Sequence, residues 1–124
     1  MTARRKQKGA SAVEFALILP LLVVLLFGIV EFGLLMYNTQ VITNASREGA
    51  RAGIVFSPRP NTTAIEGVIR TYTSSRLVTF GAPQDPSANF PNGSCSAFGD
   101  DLIVNVSYPY RFLVFQRLVG LLGS

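Results

Sequence analysis

At 124 residues the chain has room for one small domain and one further long element. It has no histidine and a single cysteine, Cys95, which excludes an intrachain disulfide framework and a Cys/His zinc site. The formal net charge of +4 resides in Arg4, Arg5, Lys6 and Lys8, and from Gly9 onward seven basic residues balance seven acidic ones. That distribution is a topology signal for a cytoplasmic N-terminus rather than a nucleic-acid footprint.

Residues 1–8 form a short basic leader, and Gly9 to Tyr37 (GASAVEFALILPLLVVLLFGIVEFGLLMY) is a long apolar stretch. Phe15 to Val30 carries no charge, and Glu31 is the single interruption before Tyr37. As a helix, Ala10–Tyr37 is about 42 Å long, more than the hydrocarbon core of about 30 Å, so it spans a bilayer and emerges still helical. A cleaved secretory signal fits poorly. The apolar run is too long, carries Glu14 near its start and has no small-residue cleavage site at its far end.

Gly9 marks the junction of leader and apolar helix, and Glu14 is the fifth residue after it. A carboxylate at the start of a membrane helix is costly unless it is neutralised. Cleavage after Gly9 creates a neutralising group, the new ammonium of Ala10. About 6 Å of rise separates Ala10 from Glu14 on a straight helix, so the expected partner is the Glu14 of a neighbouring, staggered helix. Buried polar groups set register between packed helices in this way.

Gly9-Ala-Ser-Ala-Val-Glu14-Phe15 resembles the type IV prepilin processing motif. The wider string through Glu31-Phe-Gly33, followed by ASREGARAG at 45–53 and SYPY at 107–110, resembles the TadE-like pseudopilins of tight-adherence (Flp) pilus systems. The resemblance implies a minor pseudopilin of an adhesive Flp pilus, cut after Gly9 by an inner-membrane prepilin peptidase. Its processing residues would be Gly9, Ala10, Glu14 and Phe15, and its subunit-packing residues Glu14, Pro20 and Glu31. Glu14-Phe15 suits the pseudopilins, whereas major Flp pilins typically carry Glu-Tyr and little domain beyond the helix. The implied partners are the inner membrane, the peptidase, other pilins or pseudopilins and the Tad assembly platform, with the N-terminus cytoplasmic and the C-terminal domain periplasmic.

Pro20 either kinks the span or serves as a hinge for entering a filament. Glu31 lies roughly 25 Å beyond Glu14, near the outer boundary, and need not be buried in lipid. Asn38 to about Ile54 continues the helix, with Glu48 placed for an i,i+3 pair with Arg51. Gly49 and Gly53 are suited to close packing on the domain. Phe56-Ser-Pro58-Arg-Pro60 ends the helix. Thr63-x-x-Glu66 reads as a capping box, opening an amphipathic helix to about Ser75 with a core stripe of Ile65, Val68, Ile69 and Tyr72.

Leu77–Phe80 is a short β-prone run, and Gly81–Gly99 reads as an irregular loop. Leu102–Tyr108 alternates, with Leu102, Val104, Val106 and Tyr108 on one face, as in a half-buried strand closed by Pro109. Arg111–Leu122 is too short to span. It is expected as a strand and short helix in the core against Ile65–Tyr72, the alternative being a segment resting on the membrane surface.

Without histidine no nucleophile–base pair can be assembled, no phosphate loop follows a strand, and Asp85, Asp100 and Asp101 lack calcium-loop spacing. The expectation is therefore no enzyme, cofactor, metal or small-molecule substrate. Asn-x-Ser/Thr triplets begin at Asn44, Asn61, Asn92 and Asn105 and occur readily by chance. Cys95 is either buried and inert or free to pair between chains. The expected fold is α+β: leader 1–9, a transmembrane and assembly helix 10–37, and a domain 38–124 with an amphipathic helix on a short antiparallel sheet. The rival readings are a major pilin or secretion-system pseudopilin, and a stably anchored periplasmic binding or scaffold protein that is neither cleaved nor polymerised.

Overall fold

A computed structural model describes residues 4–55 and 60–123, with side chains from Gly9 onward. The side chains of the basic leader, and the Phe56–Arg59 stretch expected to stop the first helix, lie outside the described residues. In chain order the elements are α1 (Arg4–Val55), α2 (Thr62–Thr73), β1 (Ser87–Asn89), β2 (Asn105–Ser107) and α3 (Phe115–Leu122). The order is that of an α+β protein with a long apolar N-terminal helix. The chain divides into two compact units, 1–33 with 113–124, and 34–112.

In the first unit, α1 runs unbroken through Pro20, and every residue from Gly9 to Val30 is exposed. A helix so rich in Leu, Val, Ile and Phe with no buried face has the character of a lipid-facing span, because in lipid the backbone must satisfy itself. Gly9–Val55 is long and apolar enough to cross a membrane. The other element of this unit is α3, which buries none of its residues. The core role expected for 111–122 is therefore not met. Residues 111–114 form no strand, and Phe115, Leu118, Val119, Leu121 and Leu122 are all exposed.

In the second unit, the stretch of α1 from Leu34 to Val55 turns a stripe inward, with Asn38, Val41, Ala45, Gly49 and Gly53 all buried. Its hydroxyl residues return their hydrogens to the helix. Thr39 and Thr43 donate to the carbonyls of Leu35 and Thr39, at 2.9 and 2.8 Å. The glycines are there for contact. A Cβ on Gly49 would lie 2.8 Å from Ile69 Cγ1, and one on Gly53 would lie 3.0 Å from Ile65 Cδ1 and closer still to Leu102. Glu48 and Arg51 form no ion pair among the described residues.

Helix α2 begins earlier than the Thr63/Glu66 reading placed it. Asn61 is the N-cap, its side chain accepting from the Ala64 N–H at 2.9 Å. Asparagine outranks threonine as a cap, and it draws Thr62 and Thr63 into the first turn. Ile65, Ile69 and Thr73 are buried, with Val68 and Tyr72 half-buried beside them. Thr73 can be buried because its hydroxyl donates to the Ile69 carbonyl at 2.9 Å.

Among the described residues the sheet is one antiparallel pair, with Ser87 opposite Ser107, Ala88 opposite Val106 and Asn89 opposite Asn105. Only three residues of the expected 102–108 strand join the ladder, although the alternation of half-buried and exposed residues continues from Asp101 to Phe112. Strand β1 falls within the stretch expected to be irregular. A two-stranded ribbon is marginal alone, and this one is held by Ala88, Phe90, Leu102, Val104 and Val106 packing on the cluster of Ala45, Ile65 and Ile69. Cys95 is buried, and its thiol donates to the Asp100 carbonyl at 3.6 Å.

Leu77–Phe80 is not a strand. Its backbone at Val78 is satisfied by a side chain. The Asn38 amide donates to the Val78 carbonyl, and the Val78 N–H donates back to Asn38 Oδ1 at 3.0 Å. One buried asparagine, 2 % exposed, stands in for a neighbouring strand.

Candidate functional site

The residues singled out from the sequence lie along α1. Gly9, Ala10, Glu14, Phe15 and Pro20 are all exposed on one continuous helix and do not converge on a pocket. The scissile bond expected between Gly9 and Ala10 is itself helical, since α1 starts at Arg4. A peptidase that takes extended backbone has to unwind this turn. Glycine, roughly 1 kcal/mol worse than alanine in a helix interior, lowers that cost.

The geometry revises the argument about Glu14. Ala10 and Glu14 are four residues apart, so they share one face of the helix, and side chains lean toward the N-terminus. The Glu14 carboxylate can therefore approach the Ala10 nitrogen of its own chain as well as that of a neighbour. The rise of about 6 Å does not separate them.

Glu31 is the one carboxylate of the apolar run that the structure encloses. It is 3 % exposed. Its Oε1 accepts from the N–H groups of Leu113 and Val114, the latter at 2.6 Å, and its Oε2 accepts from Phe115 at 3.2 Å. These are orphan donors at the N-terminus of α3, whose own cap position is Val114, a residue with no side-chain acceptor. The carboxylate supplies the missing cap from another helix, and its charge complements the positive end of the helix dipole. Hydrogen bonds to a charged group are worth about 1.5–3 kcal/mol each against about 0.5–1.5 for neutral pairs. The sequence places Glu31 near the outer boundary, where it need not be buried in lipid, but does not show that α3 of the same chain encloses it. The signal was present in the apolar 115–122 segment, which has a helical stripe but no Ser, Thr, Asp or Asn to open it.

Seventeen residues separate Glu14 and Glu31, which at 100° per residue sets them about 100° apart around α1. The two acids therefore serve different neighbours. Glu31 is occupied within its chain, and Glu14 remains on an open face.

Among the described residues, one helix is long and apolar enough to cross a membrane, and Gly9, Ala10, Glu14 and Phe15 lie exposed at its start. Residues 9–51 match the family model of the TadE-like proteins. The match covers the Gly9–Phe15 motif, Pro20, Glu31 and the Arg47–Arg51 string. No curated protein and no solved structure matches the chain.

Proposed function

We propose that the chain is a minor pseudopilin of a Flp/Tad-type pilus that acts by assembly and not by turnover. In this reading it is inserted with its basic leader cytoplasmic and residues 38–124 in the periplasm, and a prepilin peptidase cuts it after Gly9. The helix is then drawn from the inner membrane into, or to the tip of, a filament used for adhesion and surface colonisation. Glu14 pairs with an Ala10 ammonium, and the Phe15–Tyr37 helices pack on those of other pilins, with Pro20 as the point of bending.

The observation that carries this reading is the GASAVEF motif, exposed at the head of one uninterrupted apolar helix within the stretch that matches the TadE-like family. A stably anchored protein needs the apolar helix but has no use for a glycine and a glutamate at that spacing. Sequencing the N-terminus of the membrane-extracted protein tests it. The expected first residue is Ala10. An intact leader in material that supports pili would assign the chain to the anchored, unprocessed class instead.

A further inference from the structure

We infer that α3 is a second membrane-contacting element, an amphipathic helix lying in the outer lipid interface and held at that depth by Glu31. The inference rests on α1 being seated in lipid, and it is independent of whether the chain enters a pilus.

Phe115, Leu118, Val119 and Leu122 fall at i, i+3, i+4 and i+7, the spacing of a single helix face, and they are 58, 37, 51 and 80 % exposed. Gln116, Arg117 and Gly120 occupy the other side, with Leu121 at the edge between Arg117 and the stripe. In a water-soluble fold such a stripe forms core, yet here α3 belongs to the unit of the apolar span and buries nothing. The occupant of that stripe is indicated by its place along α1. From Ala10 to Glu31 the helix rises about 32 Å, close to the hydrocarbon thickness of about 30 Å. With the Ala10 end at one boundary, Glu31 lies at the other, and α3 starts there.

The exposed apolar stripe of α3 thus begins at the level where the exposed apolar surface of Val13–Val30 ends. A helix of eight residues is too short to cross, so it lies in the plane, as interfacial helices do, with acyl chains under its stripe. Arg117 is placed to reach the headgroup phosphates. Glu31 tolerates this depth because three backbone N–H groups meet its carboxylate, and the same bonds give those N–H groups an acceptor where water is scarce. One interaction solves two desolvation problems.

The test uses the full chain in phosphatidylethanolamine/phosphatidylglycerol vesicles, with single fluorophore-labelled cysteines in a Cys95→Ser background. The labels are at Leu118 and Leu122 on the apolar face, at Leu22 in the span and at Thr71 on α2. Doxyl-labelled acyl chains quench from the lipid and iodide quenches from water. The labels at 118 and 122 should be quenched by doxyl lipid and shielded from iodide, as at 22, with the reverse at 71. Iodide access at 118 and 122 with lipid contact at 22 overturns the inference while leaving the span intact. Iodide access at 22 removes the membrane reading itself. Shielding at 118 and 122 that disappears as the protein is diluted into more lipid overturns the inference in favour of a second copy covering α3. In Glu31→Ala, and more weakly in Glu31→Gln, the labels at 118 and 122 should lose their protection from iodide. Unchanged protection in both variants would remove Glu31 from its positioning role.

Discussion

At the scale of single residues, two buried polar side chains in α1 do what the apolar residues around them cannot. Glu31 terminates a helix that has no cap of its own, and Asn38 completes a backbone segment that has no strand beside it. Each carries a distinct prediction. Glu31→Gln retains the shape but replaces one acceptor oxygen by a donor facing N–H groups. It should abolish the slow hydrogen exchange of the Leu113, Val114 and Phe115 amides while leaving those of Ile65 and Ile69 protected. Protection at 113–115 equal to the parent would show that the cap contributes nothing. Asn38→Leu leaves the Val78 N–H and carbonyl without their partner. It should cost about 1–3 kcal/mol, the ordinary penalty for stranding buried polar groups, read as a lower urea midpoint for the 34–112 unit. Asn38→Asp should cost more, because the carboxylate accepts from the Val78 N–H but confronts its carbonyl with a second acceptor. An Asn38→Asp protein as stable as the parent would contradict the two-way pairing.

At the scale of elements, the legible features were those set by period and composition. The long apolar helix was plain from an uncharged run, the core stripe of α2 from its 3.6-residue repeat, and the inward face of 102–108 from strict alternation. What escaped was set by partners distant in sequence. Strand β1 has no signal of its own in Ser87-Ala-Asn89 and exists because Val106 lies opposite Ala88. Leu77–Phe80 looked like a strand and is completed by Asn38 instead. The start of α2 was missed because two capping signals overlapped and the stronger residue, Asn61, lay upstream. Gly49 and Gly53 were read correctly as contact points, and they carry a prediction of opposing terms. Gly53→Ala gains roughly 1 kcal/mol of helix propensity but drives a methyl into Ile65 and Leu102 in a filled core, where overpacking costs about 1–3 kcal/mol. The expected net result is a loss of stability of about 1 kcal/mol by the sum of those two effects. Adding Leu102→Ala should recover part of that loss, because it removes the clashing atoms. Equal and independent losses in the double mutant would place the strain elsewhere.

At the scale of the whole molecule, the proposed function depends on which copy of the chain supplies the counter-ion for Glu14. Helix geometry allows the Ala10 ammonium of the same chain, while assembly requires that of a neighbour. Two variants separate them. Glu14→Ala keeps the new ammonium and loses the carboxylate, whereas a copy with Gly9 replaced by a bulky residue keeps the carboxylate and, if uncut, never acquires the ammonium. Alone, neither copy can form the pair under either scheme. Together they can form it only between chains. With cysteines at Val13 in a Cys95→Ser background, disulfide-linked dimers in the membrane should be abundant for the otherwise unaltered protein and scarce for each variant. They should reappear as mixed dimers on co-expression. Scarcity that persists on co-expression would mean that the ammonium and carboxylate pair within one chain. Glu14 would then ease exit from the bilayer without setting register between subunits. Abundant dimers from Glu14→Ala alone would remove the carboxylate from assembly altogether. The fold is compatible with the intermolecular outcome because Glu31, about 100° away around the helix, is already engaged by α3 and leaves the face of Glu14 open to another copy.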